Sequence, residues 1–305
     1  MASLSPLGSS WRVWLPYLAA TLVFAIGLVT FLGRNTPARR GLDNLTALGP
    51  LFFAIPLAVF GAEHFAAADS ISGMVPRWIP GHLFWALFVG TCLIAAALSI
   101  AAGKYTWLSA ALFAVMIFLF VVLIHIPEVV AAPRNHVVWV VALRDLAFSA
   151  GGLALAVSQP KAWAPLRSSG LLNLARLGVG VSTVFLGVMQ LLHPESAPGV
   201  PLELNTPGWV PGHAFWGYPI GALFVAAGIC LIANQRGCLA ATWMGAAILF
   251  LVLVIYLPIL VQNPADIGIA ANYFFDTLLM GGTALTLAGA LGRNPVVRDL
   301  QVSTV

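Results

Sequence analysis

The chain has 305 residues, of which 60% are hydrophobic and 8% charged, with a formal net charge of +4. A soluble domain carries about 25% charged residues, so the composition excludes an ordinary soluble protein and predicts an integral membrane protein whose first partner is the lipid bilayer. The basic residues are scattered through loops, which predicts a membrane topology signal and no nucleic-acid partner.

The apolar runs predict an all-α membrane protein with about nine transmembrane helices, at 12–32, 45–66, 82–102, 106–125, 137–157, 171–192, 213–233, 239–258 and 270–292. Each is near the roughly 20 residues a span requires. Short alternating strands are absent, which argues against an outer-membrane barrel. Residues 1–11 hold no Lys or Arg, so the first run reads as an uncleaved helix and not as a signal peptide. Cys92, Cys230 and Cys238 form no CxxC motif, so neither a disulfide framework nor a thiol-redox motif is expected.

Arg34, Arg39, Arg40, Lys104, Lys161, Arg167, Arg176, Arg236, Arg293 and Arg298 fall on one side of this nine-span scheme, whereas Arg12, Arg77 and Arg134 fall on the other. The positive-inside rule then predicts an N-terminus outside and a cytoplasmic C-terminus.

The string Pro-x-Trp-x-Pro-Gly-His-x-Phe-Trp occurs twice, at Pro76–Trp85 and Pro207–Trp216, an offset of 131 positions. The same offset matches Pro127 with Pro258, Pro133 with Pro264, Asp145 with Asp276 and Gly151 with Gly282. Self-similarity at a fixed offset predicts duplicated units. The expected organisation is an N-terminal helix and loop (1–44), repeat A (45–157), a linker (158–170), repeat B (171–292) and a tail (293–305). Four spans per repeat give both the same orientation, so two parallel four-helix bundles are expected, related by a pseudo-twofold axis along the membrane normal.

In this scheme all six histidines and eight of the ten carboxylates lie at the outer side. Repeat A is the richer half, and its candidate pocket comprises Glu63, His64, His82, Trp85, His125, Glu128, Arg144 and Asp145. The repeat B counterparts are Gln190, His213, Trp216 and Asp276, while Tyr256, Ile259 and Phe275 replace His125, Glu128 and Arg144. His82 and His213, each behind a Pro-Gly pair, read either as interfacial caps or as groups facing an outer cavity. Arg144 and Asp145 lie about 10 Å into their span. Being adjacent, they are expected on different helix faces, with Glu63 or Glu128 as the partner of Arg144. They read either as a clamp on the bundle or as part of a site, and the duplication of Asp145 and Asp276 favours a structural role. No HxxxH or HExxH pair is present, so no metal site is assigned, and zinc and haem are disfavoured. A quinone head group suits the residue types better, with hydrogen-bond donors, aromatic walls and a lipid-side entrance.

The segments GAEHF (61–65), the two PxWxPGHxFW strings, HIPE (125–128) and RDLAFSAGG (144–152) resemble the DoxX-like family of four-span membrane proteins. The resemblance covers both repeats, so the chain looks like a tandem fusion with an added N-terminal helix. It implies a bacterial inner-membrane protein, an accessory or subunit of a membrane redox complex in quinol-linked electron transfer, and it supplies no catalytic residues. The alternatives are a carrier or binding protein for a lipid or small solute, and a non-catalytic scaffold.

Overall fold

The computed structural model describes residues 10–33, 41–200, 204–212 and 215–293, and among these the secondary structure is helical apart from an isolated bridge between Ser196 and Asn205. Eight helices are long and apolar enough to cross a bilayer: α1 (Ser10–Leu32), α2 (Leu42–Ala66), α3 (His82–Ala101), α4 (Thr106–Ala131), α5 (His136–Val157), α6 (Ser169–Leu192), α8 (Gly237–Gln262) and α9 (Ile267–Gly292). The helix at the seventh expected position, α7 (Gly217–Ile232), has 16 residues. At 1.5 Å per residue it covers about 24 Å, short of a hydrocarbon core of about 30 Å. A five-residue helix, Ala68–Ser72, lies between α2 and α3.

The 131-residue offset recurs in the backbone. Pro127 lies inside α4 and Pro258 inside α8. A proline lacks the N–H of an i→i−4 bond, and its ring crowds the carbonyl four residues back. In both helices the turn before the proline widens to π geometry, at Val121–His125 and at Val252–Tyr256. Gly81 and Gly212 both take positive φ, 75° and 63°. Trp85 Nε1 donates to the Pro80 carbonyl at 3.1 Å, and Trp216 Nε1 to the Pro211 carbonyl at 3.0 Å. The repeated string thus makes the same turn twice, with the indole closing it.

Packing runs in sequence through α2, α3, α4, α5, α6, α7, α8 and α9, and α9 returns to α2. The two expected four-helix bundles do not close separately. Instead α5 packs on α6, α9 packs on α2, and α5 meets α9 across the middle, so the eight helices form one ring. Small residues permit these crossings. A Cβ on Gly282 of α9 would lie 2.5 Å from the Phe53 backbone N of α2, and one on Gly187 of α6 would lie 2.8 Å from the Gly221 carbonyl of α7. Such close backbone approach is the usual device of membrane helix packing.

Burial follows the ring. α9 is the most enclosed helix, with 89% of its apolar window buried, whereas the window of α1 is 17% buried. α1 lies outside the ring against α2 and α3. Leu18, Leu112, Val130, Leu239 and Leu253 point outwards from the helices. An apolar belt of this extent marks a surface that meets lipid.

Arg176, expected on the cytoplasmic side with the loop cations, is buried within α6 at 6% exposure. Its Nη1 donates to the carbonyls of Leu231 and Ile232, at the C-terminus of α7. Carbonyls left open at a helix end are good acceptors for a cation, so here the arginine caps a neighbouring helix.

Candidate functional site

Five ionisable side chains from three helices meet at one end of the ring. The π turn of α4 presents His125, and the following turn presents Glu128. His125 Nε2 lies 2.9 Å from Asp145 Oδ2 of α5, and its Nδ1 lies 3.4 Å from Glu128 Oε2. Arg144 Nε donates to Asp145 Oδ1 at 3.0 Å, and Arg144 Nη1 donates to Asp276 Oδ2 of α9 at 2.5 Å. The guanidinium also sits 5.7 Å from the ring centroid of Phe148, within cation–π range.

The widened turn explains the reach of His125. A π turn shifts the side chains that follow it relative to an α register. His125 thereby bridges an exposed acid and a buried one, since the side chain of Glu128 is 54% exposed and that of Asp145 only 11%. The chain Glu128–His125–Asp145–Arg144–Asp276 therefore runs from the protein surface to the α5–α9 contact.

Arg144 is satisfied by neither of its expected partners. Glu63 and Glu128 do not bind it, whereas Asp145 and Asp276 do. The expectation that Arg144 and its neighbour point apart also fails, because the long side chain folds back onto Asp145. The pairing with Asp276 follows from the ring. Residues related by the 131-residue offset on α5 and α9 come together where those helices meet, so one cation serves both aspartates. The match of Asp145 with Asp276 was the available signal, but it required knowing that α5 and α9 are in contact.

The other expected residues divide. Glu63 borders this cluster close enough to Asp276 to interact electrostatically, and its Oε1 is buried with no hydrogen-bond partner. His64 turns away, with Nδ1 2.7 Å from the Phe60 carbonyl of its own helix. Its Cβ lies 2.6 Å from where a Cβ would stand on Gly90. His82 opens α3 and is not part of the ion network. Trp85 packs with Phe84 and Phe88 besides closing its turn. No hydrogen bond or ion pair links His64 or His82 to His125 among the described residues. Among the described residues no group of three or more His, Cys, Asp or Glu side chains is placed to hold a metal ion.

In the second half, His213 lies outside the described residues, and Trp216 closes its turn as Trp85 does. Gln190 is fully buried and organises the loop after α6. Its Nε2 donates to the Ser196 carbonyl at 3.1 Å, and its Oε1 accepts from Gly199 N at 3.0 Å. Tyr256, at the position of His125, is also fully buried and donates to the Pro198 carbonyl at 3.0 Å. The residues that face a site in the first half hold a loop in the second.

Two cavities among the described residues are lined by none of the five ionisable side chains of the cluster. One of about 250 Å³ is lined by Pro133, Arg134, His136, Trp139, Phe185 and Met189. The other, about 80 Å³, lies at the opposite end among Thr46, Thr106, Ser158, Gln159 and Thr286.

Comparison of the chain with protein-family models, with curated proteins and with solved structures finds no match.

Proposed function

We propose that this integral membrane protein exchanges protons at its outer face through the chain Glu128–His125–Asp145, with Arg144 and Asp276 as the buried anchor. The observation that carries the reading is His125 bridging an exposed carboxylate and a buried one. Histidine is the side chain whose ordinary titration falls between about pH 5 and 8, so it can pass a proton between two acids under physiological conditions. Three buried or half-buried acids, Glu63, Asp145 and Asp276, stand against the single fixed cation Arg144. An excess of acid over fixed positive charge makes room for a proton that comes and goes, and ionisable groups inside a membrane are functional by default.

On this reading the chain is a tandem of two related units, which the 131-residue correspondence in turns and π segments supports, and the sequence resemblance makes each unit DoxX-like. The orientation is N-terminus outside, from the distribution of Lys and Arg. A quinol is the proton donor class that the DoxX-like resemblance implies: on its oxidation to quinone two electrons would pass to the partner membrane redox complex and two protons would leave at the face where Glu128 stands.

The test is infrared difference spectroscopy of the reconstituted protein across that pH interval. Wild type is expected to show a reversible carboxyl signal coupled to an imidazole signal. His125→Gln keeps a hydrogen-bonding side chain without the titration, and should abolish the coupled signal. Glu128→Gln should slow proton entry, seen as slower response to a pH jump. An unchanged titration in both variants would sink the proposal.

A further inference from the structure

The cavity between the ends of α5 and α6 has a counterpart elsewhere on the ring, and the two are filled differently. By the 131-residue offset, Pro133, Arg134, His136 and Trp139 correspond to Pro264, Ala265, Ile267 and Ala270. Aligning Gly187 with Gly61, as the matching α6–α7 and α2–α3 crossings do, sets Phe185 and Met189 against Val59 and Glu63. This second groove lies between α9 and α2, on the side where α1 runs. The Tyr17 hydroxyl of α1 donates to the Pro264 carbonyl at 2.7 Å, and Val59 and Ala270 are 0% and 2% exposed. On the α5–α6 side no helix among the described residues takes that place. Trp139 is 37% exposed, and the Pro133 carbonyl accepts instead from Trp139 Nε1 at 3.0 Å.

The open groove also differs in charge. Where the covered one has Ala265 and Ile267, the open one has Arg134 and His136. Arg134 is exposed and in no salt bridge with the described residues. His136 stacks on His193 with centroids 4.1 Å apart, and Glu195 lies 3.5 Å from His193, the far member of the pair. His136 is also the first residue of a 22-residue helix, whose N-terminal end favours negative charge. Below these groups Trp139, Phe185 and Met189 make an apolar wall, continued along α6 by exposed Val181 and Leu177.

We propose that the α5–α6 groove binds one anionic phospholipid, its phosphate held by Arg134 and His136 and an acyl chain lying along Trp139, Phe185 and Val181. The lipid takes in this half the place that α1 takes in the other. A cavity of about 250 Å³ accommodates the head-group end and the first segment of a chain, with the remainder on the lipid-facing surface. The pairing of Arg134 and the His136 imidazole above with an apolar stripe below selects an amphiphile over a free anion or a purely apolar helix.

Native mass spectrometry of the delipidated, detergent-solubilised protein tests this, with phosphatidylglycerol and phosphatidylcholine as the added lipids. One phosphatidylglycerol is expected to bind in preference to phosphatidylcholine. Arg134→Gln should weaken that binding by about fivefold or more, since a basic residue near an anionic head group contributes about 1 kcal/mol. Trp139→Ala should weaken both lipids, and Lys104→Gln, at the opposite end, should change neither. Equal retention of the two lipids by wild type, or unchanged phosphatidylglycerol binding in Arg134→Gln, would overturn the proposal. A co-purifying single-span polypeptide that displaces the lipid would overturn it too.

Discussion

His125 and Tyr256 stand at the same position of two π turns, and their surroundings have diverged completely. His125 meets a buried aspartate and an exposed glutamate. Tyr256 is fully buried and holds the Pro198 carbonyl, with Ile259 where the other half has Glu128 and Phe275 where it has Arg144. One backbone device thus carries a titratable site in one half and a neutral latch in the other. Of the ion network the second half keeps Asp276 alone, and Arg144 of the first half takes it as a counter-ion. The comparison teaches that where two matching helices meet a single cation can serve two equivalent acids, which leaves the other half free to lose its own.

The largest effect expected on this contrast comes from Arg144→Leu. It leaves Asp145 and Asp276 buried without their cation, and removing one partner of a buried pair costs about 3–5 kcal/mol. Thermal unfolding in detergent should show a large drop, partly recovered in the double variant Arg144→Leu/Asp276→Asn. A drop that the second substitution deepens would refute the shared-cation arrangement.

Gly282→Ala comes next. Its Cβ would meet the Phe53 backbone at 2.5 Å, and backbone cannot move aside as a side chain can. Overpacking of this kind costs about 1–3 kcal/mol. Gly208→Ala, with nothing within 4 Å, is the matched control and should leave the melting temperature in place. Gln190→Leu should cost a similar amount, because it strips the buried Gly199 N–H of its partner and leaves the Ser196 carbonyl with Thr206 Oγ1 in place of two donors. Limited proteolysis should then cut at 193–200 first.

The smallest effect is the sharpest test of the comparison. Tyr256→Phe removes one buried hydrogen bond, worth about 0.5–1.5 kcal/mol. It should leave the infrared titration intact, whereas His125→Gln abolishes it at a similar cost in stability. Equal spectroscopic effects would erase the distinction between latch and site.

Much of this molecule was legible in the residues, and the limits are physical. The apolar runs located the helices because hydropathy is a local property, and even the short seventh helix lies inside its expected range. Self-similarity located the matched turns and the paired aspartates. It did not show the ring, because the choice between closing each half and joining the two depends on which helix faces meet. His64 and His82 were grouped with His125 for a related reason: shared depth says nothing about direction around a helix. Arg176 read as a loop cation because nothing in its own segment reveals the open carbonyls of α7.

Joining α9 to α2 also sets an order of assembly. Helices inserted in sequence can pack on their predecessors as they leave the ribosome, but α2 must wait for α9 before the wide contact between the two can form. Until then Arg144 has Asp145 alone, and the groove around Phe53 lacks the helix that carries Gly282. A chain stalled or cut before α9 would leave Arg144 short of its second carboxylate and α2 with a bare apolar face around Phe53.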